Sequence, residues 1–385
     1  MGELRQPVWL KPEEVPRLPE GWRAMPTEEA CVQFKPGKLF ETKTVSEHGA
    51  VPVLNQSETD FLGYHDEEPG VDASPEKPVV TFANHTCAMR LMKRPFSTIQ
   101  NIFPKVGKPG VTDTVYFYYA SLGRIGLSDY KGHHPLFRQA HIPVPPLPVQ
   151  RRIAGILSAY DELMENSQRR IRLLEAMARA LYREWFVHFR FPGHEKHPRV
   201  ASPLGDIPQG WEVKPLFELT KVNYGKNLPT KKLADDGAHP VYGAAKIIGR
   251  YTEYTRERRT IICGCRGSVG EMQITEPQCY VTNNSFTFDP THPDNFFWLF
   301  HTLKERGLRD VVGGAAQPQI TLEGISSVEL VTPPLPLRTR FQQAVSAMFE
   351  QAWTLDNQIQ NLRRTRDLLL PRLLSGKVEP KTQAA

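Results

Sequence analysis

From Ile153 onward, apolar residues recur at alternating spacings of four and three, at positions 153, 157, 160, 164, 167, 171, 174, 178, 181 and 185. A 3.5-residue period sustained this long predicts a helix that packs along one narrow stripe against another helix. A second stripe follows 188 residues later without a gap. Ile153 falls on Phe341, Leu157 on Val345, Tyr160 on Met348, Met164 on Ala352, Ile171 on Ile359, Leu174 on Leu362, Leu181 on Leu369 and Trp185 on Leu373. Ser167, Ala178 and Arg366 are the weak members of the two stripes. Each copy has room for roughly 35 helical residues, about 50 Å at the α-helical rise.

Both stripes are entered through the same bracket, PPLPVQRRI from Pro145 to Ile153 and PPLPLRTRF from Pro333 to Phe341. Proline stops the preceding segment and pre-sets the first helical turn. The first helix is expected to end near WFVHFRFPG, and the second at LLLPRLLSG, with Pro371 kinking its last turns and Gly376 available as a cap. The segments before the helices also repeat: LPEGW at Leu18 answers IPQGW at Ile207, Gly37-Lys38 answers Gly225-Lys226, and HGAVPV at His48 answers DGAHPV at Asp236. The order is therefore domain, long helix, domain, long helix. In the second domain RRTIICGCRGSVGEMQI and SFTFD read as strands and FFWLFHTLKERGL as a short amphipathic helix; in the first, PVVTFA and VYFYYASLG read as strands. The fold class is α+β, two mixed-sheet domains separated by two long helices whose stripes can pack on each other as a coiled coil.

Composition adds limits. Hydrophobic residues at 40% and charged residues at 23% allow ordinary cores, and a net charge of +6 permits an anionic partner. No apolar run suits a signal peptide or a membrane span, so a soluble, cytoplasmic chain is expected. The Cys263-x-Cys265 pair has no companion pair and reads as buried thiols in a strand, while His188, His194 and His197 read as a solvated loop. No phosphate-binding glycine loop, nucleophile elbow or metal-spaced carboxylate pair occurs, and RGSVG at Arg266 reads as a tight turn. Neither a catalytic residue nor a metal site is expected. Basic and amide side chains instead crowd the globular segments: Lys38, Asn84, His85, Arg90, Lys93, Arg94, Lys105, Lys131, His133 and His134 in the first, and Lys226, Lys231, Lys232, Arg256, Arg258, Arg259, Arg266, Asn283, Asn284, Gln317 and Gln319 in the second. These are the side-chain types that hold phosphates and read guanine and adenine edges, which predicts a reader of two separated DNA half-sites.

The stretch PPLPVQRRIAGILSAYDELMENSQRRIRLLEAMARALYREWF, together with TRDLLLPRLLSG, IPQGWEVKPL, GCRGSVG, TNNSF and GGAAQPQIT, resembles the specificity subunits of Type I restriction-modification systems over nearly the whole chain. The resemblance implies target recognition domains at 1–145 and 191–333, conserved helices at 146–190 and 334–376, and a tail at 377–385. It implies a monomer with internal pseudo-twofold symmetry, whose helices pair antiparallel as a ruler while each recognition domain reads half of a bipartite, asymmetric target on double-stranded DNA. It further implies that two methyltransferase (modification) subunits dock on the helices and bring S-adenosylmethionine, that restriction subunits complete the nuclease, and that the chain itself binds no cofactor and catalyses nothing. His188 and Arg190 stand where the family continues with acidic residues, the first domain follows the family pattern only faintly after HGAVPVLNQS, and LRTR replaces a VQRR-like opening in the second helix. Trp185, Phe186, Phe189, Phe191 and Trp353 are the apolar residues that either face such partners or pack on the domains. A protein-binding scaffold without DNA affinity and a fused methyltransferase are the competing classes.

Overall fold

The structure, a computed structural model, describes residues 18–126, 132–234, 236–314 and 317–379. The chain forms two compact units, residues 1–167 with 357–385, and residues 168–356, so each unit holds one globular domain and half of each long helix.

In the first unit the elements run β1 (Arg23–Pro26), α1 (Thr27–Ala30), β2 (Cys31–Gln33), β3 (Val51–Leu54), β4 (Phe61–His65), β5 (Val79–Ala83), β6 (Met89–Met92), β7 (Ser97–Thr98), β8 (Ile102–Gly107), α2 (Thr114–Ser121), α3 (His134–Gln139) and β9 (His141–Val144), leading into α4 (Leu147–Tyr182). Three sheets result, ordered β1-β9, β2-β8-β5-β6 and β4-β3-β7. After two added strands, β10 (Arg199–Val200) and β11 (Ile207–Pro208), the second unit repeats the plan: β12 (Glu212–Pro215), α5 (Leu216–Leu219), β13 (Thr220–Tyr224), β14 (His239–Gly243), β15 (Lys246–Tyr251), β16 (Ile261–Gly264), β17 (Met272–Ile274), β18 (Tyr280–Val281), β19 (Ser285–Pro290) and α6 (Phe296–Arg306). A short hairpin of β20 (Val312–Gly313) and β21 (Gln319–Ile320) is inserted before α7 (Leu322–Ser326), β22 (Glu329–Thr332) and α8 (Leu335–Leu374). Its sheets are ordered β12-β22, β13-β19-β16-β17 and β15-β14-β18, the first unit's pattern strand for strand. Even the irregularities match: the β3–β4 ladder shifts register at Val53/Leu54, and β14–β15 shifts at Val241/Tyr242.

Each domain's first and last strands pair antiparallel, β1 with β9 and β12 with β22, which brings entry and exit together at the proline bracket. The helix then grips the domain through its first turn. Gln150, fully buried, accepts from Asp113 N–H at 2.8 Å and donates to Val111 O and Pro145 O, and Asp113 in turn caps α2 through Val115 N and Tyr116 N. Arg338, at the same place in α8, binds Asn295 Oδ1 beside α6 and lies over the Trp298 ring.

In the first unit Ile153 and Leu157 of α4 pack with Leu370, Leu373 and Leu374 of α8, and Arg366 pairs with Asp161, so the halves run antiparallel. In the second, Tyr182 and Phe186 pack on Phe341, with Val345 and Phe349 in the same core. Burying each such side chain is worth about 1.5–3 kcal/mol. The stripe departs from the expected one where a helix reaches its domain: Tyr182 and Phe186 are buried in place of Leu181 and Trp185, Phe349 in place of Met348, and Leu370 in place of Leu369. An ideal helix drifts against a 3.5-residue repeat, and the domains offer apolar surface on the neighbouring face. Tyr160, Leu174 and Leu362 are only half-buried, whereas Met164, Ile171 and Ile359 are buried, as are Ser167 and Arg366.

One further reading is corrected, the open choice for five aromatics is decided, and the end of the second helix is located. VYFYYAS is helix α2, not a strand; the Asp113 cap and burial of Tyr116, Phe117, Tyr119 and Ala120 outweigh the β-propensity of its aromatics. Phe186 and Phe191 are buried in the second unit's core with Trp185, Phe189 and Trp353 packed against it, and the large apolar residues left exposed on the two long helices are Leu163, Leu173, Met177, Leu335 and Leu368. Helix α8 runs through Pro371 to Leu374, and Gly376, at φ +69°, donates its N–H to Leu373 O behind it. Among the described residues no helix is long and apolar enough to cross a membrane.

Candidate nucleic-acid interface

In the second unit four connections gather at one end of the sheets. The β14–β15 turn is Ala244-Ala245, both at positive φ, and Ala245 N–H donates to Ser285 Oγ at 3.2 Å. The β16–β17 turn carries Arg266 and Gly267, whose φ of +77° and whose approach to Ala244 leave little room for a side chain. Cys265 N–H and Arg266 N–H both donate to Asn284 O in the β18–β19 turn, at 2.9 and 3.3 Å. Arg266 Nε donates to Gln319 Oε1 at 3.2 Å, which ties in the β20–β21 hairpin. Arg266, Asn284 and Gln317 are thus exposed on one rim, with Asn283 and Gln319 half-buried beside them. Lys226, exposed, reaches the same edge through its N–H to Val281 O at 2.9 Å.

The first unit builds the equivalent rim from different residues. Ladder registers place Ala83–Ile102 where the second unit has Gly264–Ser285, so His85 answers Arg266 and Asn101 answers Asn284. Asn84 N–H donates to Asn101 O at 3.0 Å, and Gln56 joins both turns by accepting from His85 N–H at 3.2 Å and donating to Asn101 O at 3.2 Å. Asn84 and His85 therefore lie on this rim, while Gln56 and Asn101 are members that sequence reasoning missed. A gapped alignment of NHT with RGS would have exposed Asn101, because Asn284 lies 183 residues after it, five fewer than the constant offset of 188.

The remaining expected residues are not brought to these rims. Arg90 is buried and donates to Ser57 O and Asp60 O, so it braces the β3–β4 loop. His133 is buried against Asn84 O, and Lys105 is buried below His134. These three are corrected from surface contacts to interior residues. Lys38 pairs with Glu67 at 2.6 Å, which holds that carboxyl below the usual range, and Lys93 pairs with Glu162 at 2.7 Å. Arg94 lies over the Phe61 ring. Arg256 is fixed by Asp289 at 2.9 and 3.0 Å and Arg259 lies 3.8 Å from the Trp353 ring centre, so both support the domain. Lys231, Lys232 and Arg258 are exposed elsewhere on the second unit, and Lys131 lies outside the described residues. Cys263 and Cys265 are buried free thiols, and burial pushes Cys263 up to about 12.

The rims set amide side chains beside Arg266 in one unit and His85 in the other, on turns fixed by hydrogen bonds, which suits polar recognition of a ligand edge; among the described residues they provide neither a nucleophile–base pair nor a metal set. Comparison with known proteins agrees with that character. Residues 208–365 match the family described as Type I restriction modification DNA specificity domain. The MjaIX specificity subunit of a Type I restriction enzyme from Methanocaldococcus jannaschii is 24% identical over 320 residues, covering 75% of this chain and 74% of that protein. The HindI specificity subunit from Haemophilus influenzae is 24% identical over 319 residues, covering 61% and 68%. The crystal structure of the Type I restriction-modification S subunit from M. genitalium shares the fold, with a TM-score of 0.62 at 18% identity over 96% of this chain and 99% of that one. With two copies of one domain plan and a long helix after each, the chain is similar to the specificity subunits of Type I restriction enzymes, one of which matches three quarters of its length.

Proposed function

We propose that this chain reads a bipartite, asymmetric DNA target, with one globular domain on each half-site, and that its long helices set the spacing and dock two modification subunits. The observation that carries the reading is the duplication itself. Both domains keep the same three sheets while their rim residues differ, Arg266 and Asn284 against His85 and Asn101, as two readers of different sequences on one scaffold would. Leu163 and Leu368 on the first unit's helices, and Leu173 and Met177 on the second's, are apolar and exposed, which supports protein docking there. Phosphate contacts come from lysines such as Lys226, Lys231 and Lys232, and S-adenosylmethionine and the methyl transfer belong to the modification subunit. Restriction subunits join to complete the nuclease. A helix of 36 residues spans about 54 Å, ample to separate half-sites by a helical turn of DNA.

The test is adenine-methylation mapping with the modification partner. Arg266→Ala is expected to relax one half-site only, costing about 1–3 kcal/mol of discrimination there, and His85→Ala to act on the other half-site only. Site choice indifferent to both variants, or binding that does not weaken with salt, refutes the reading and favours a protein-only scaffold.

A further inference from the structure

Strand β8 of the first domain buries a lysine where the matching strand of the second buries a phenylalanine. Lys105 pairs with Gln33 and Val80, and Phe288 pairs with Val222 and Ile261, so the ladders leave no ambiguity about the equivalence. Phe288 is a member of an apolar core. Lys105 is 1% exposed, yet its Nζ donates to Gln33 Oε1 and lies 3.1 Å from His134 Nε2, and neither partner carries a negative charge. Thr27 opens α1 and His134 opens α3 where Leu216 and Leu322 open α5 and α7. These polar residues line a cavity of about 480 Å³. Glu28 also borders it, but its carboxylate is taken by Arg138 at 2.6 Å.

A buried ammonium without a counter-charge is costly, and the second domain shows that an apolar side chain fits the position. The cavity therefore holds one uncompensated positive charge at its floor and a guanidinium beside it, a combination of point charge and planar donor suited to a phosphate group. We propose that this cavity is a phosphate-binding site of the first domain, with Lys105 as its principal ligand and the phosphate either free or part of a DNA backbone. The site stands on the cavity alone and does not require the DNA reading. His134 stacks on Phe103 at 3.8 Å, which holds its ring against the lysine, and desolvation followed by the Lys105 and Arg138 charges keeps it neutral, down to about 4. Burial lowers Lys105 itself to about 8, so an arriving anion meets a group whose charge it stabilises.

Calorimetric titration of inorganic phosphate into the full chain, at ionic strength matched with chloride, tests the site. One saturable site per chain is expected, weakened about tenfold or more by Lys105→Met and retained by Lys105→Arg and by Lys196→Met, which alters an exposed lysine of the second unit. Gln33→Leu, which copies the apolar character of the second domain, provides a second loss-of-binding variant should Lys105→Met fail to fold. The absence of saturable binding to the wild-type chain, or equal binding by Lys105→Met or Gln33→Leu, overturns the proposal. Repeating the titration with a target duplex present separates the sources. Competition marks a backbone phosphate as the natural occupant, and simultaneous binding marks a free one.

Discussion

The two globular domains share three sheets strand for strand, but they fill equivalent interior positions in opposite ways. The first buries Lys105 beneath half-buried His134 and exposed Gln33 around a cavity, and the second has Phe288, Val222 and Leu322 there. The same contrast runs along the helices. In the first unit Arg366 binds Asp161, which also accepts from Tyr119 Oη at 2.6 Å; at the matching positions the second has Ala178 and Phe349, both buried in an aromatic core. Duplication supplied one backbone plan, and the side chains then diverged without altering a ladder. Backbone topology here tolerates either a polar or an apolar interior, provided that each buried polar group finds a partner.

The sharpest break of this comparison is at the Arg366 clasp. Arg366→Ala leaves the Asp161 carboxylate without its cation, and the first unit is expected to lose about 3–4 kcal/mol, below the top of the range because a third of the Asp161 side chain stays wet. The double variant Asp161→Phe with Arg366→Ala copies the second unit's pair and should recover most of that loss. Urea midpoints measure both, and a double variant no better than the single one would mean that the two seams are not interchangeable.

Lys105→Met comes next and carries the opposite sign. Its pKa near 8 lies below the ordinary 10.5 because burial disfavours the ammonium. Between these values the unfolded chain binds more protons, so the penalty is full below about pH 8 and disappears above about pH 10.5. In phosphate-free buffer Lys105→Met should therefore be more stable by up to about 3 kcal/mol at neutral pH, with the advantage shrinking as pH rises through that window. The readout is the thermal midpoint as a function of pH.

The second domain's aromatic core has a polar flaw of its own. His301 is buried, stacked on Tyr182 at 5.4 Å, and its Nε2 has no hydrogen-bond partner; burial, then the charges of Lys304 and Arg179, push it down to about 3. Stability is unaffected above the ordinary value of about 6.5 and is lost as pH falls from there toward about 3, by about 2 kcal/mol at pH 5. His301→Phe should remove that share of acid lability. An unchanged acid limb would place the proton uptake elsewhere.

These contrasts also explain what the sequence could and could not show. The helical stripes, the proline brackets and the duplication are periodic and local, and they are legible in residues such as Ile153, Leu157, Phe341 and Val345. The one-residue shift to Tyr182 and Phe349 depends on apolar surface that the domains supply, which no helix period contains. VYFYYAS misleads because its aromatics favour a strand until Asp113 caps the turn before them. The rim was half legible: RGS and TNN mark the second domain's turns, but Gln56 and Asn101 become partners only through a loop and a bulged ladder far apart in sequence. Arg90 and Lys105 look like any surface cation until the fold closes over them, because composition records charge and not direction.

The smallest expected effect concerns the turn that most distinguishes the second rim from the first. The first domain joins β3 to β4 through the longer connection 55–60, whereas the second joins β14 to β15 through Ala244 and Ala245 alone, at φ +51° and +63°. Both central residues of such a turn need positive φ, which costs a residue bearing Cβ about 1–2 kcal/mol. Ala244→Gly releases that strain and adds unfolded-state freedom worth about 0.5–1 kcal/mol, so the net gain in stability should stay below about 1 kcal/mol. The gain should come with looser recognition, because Ala244 is the wall against which Gly267 positions the Arg266 turn. A variant that is slightly more stable and reads the Arg266 half-site less sharply would show that the strained alanines hold the rim rigid. One that is more stable with unchanged site choice would assign that rigidity to the Arg266–Gln319 bridge instead.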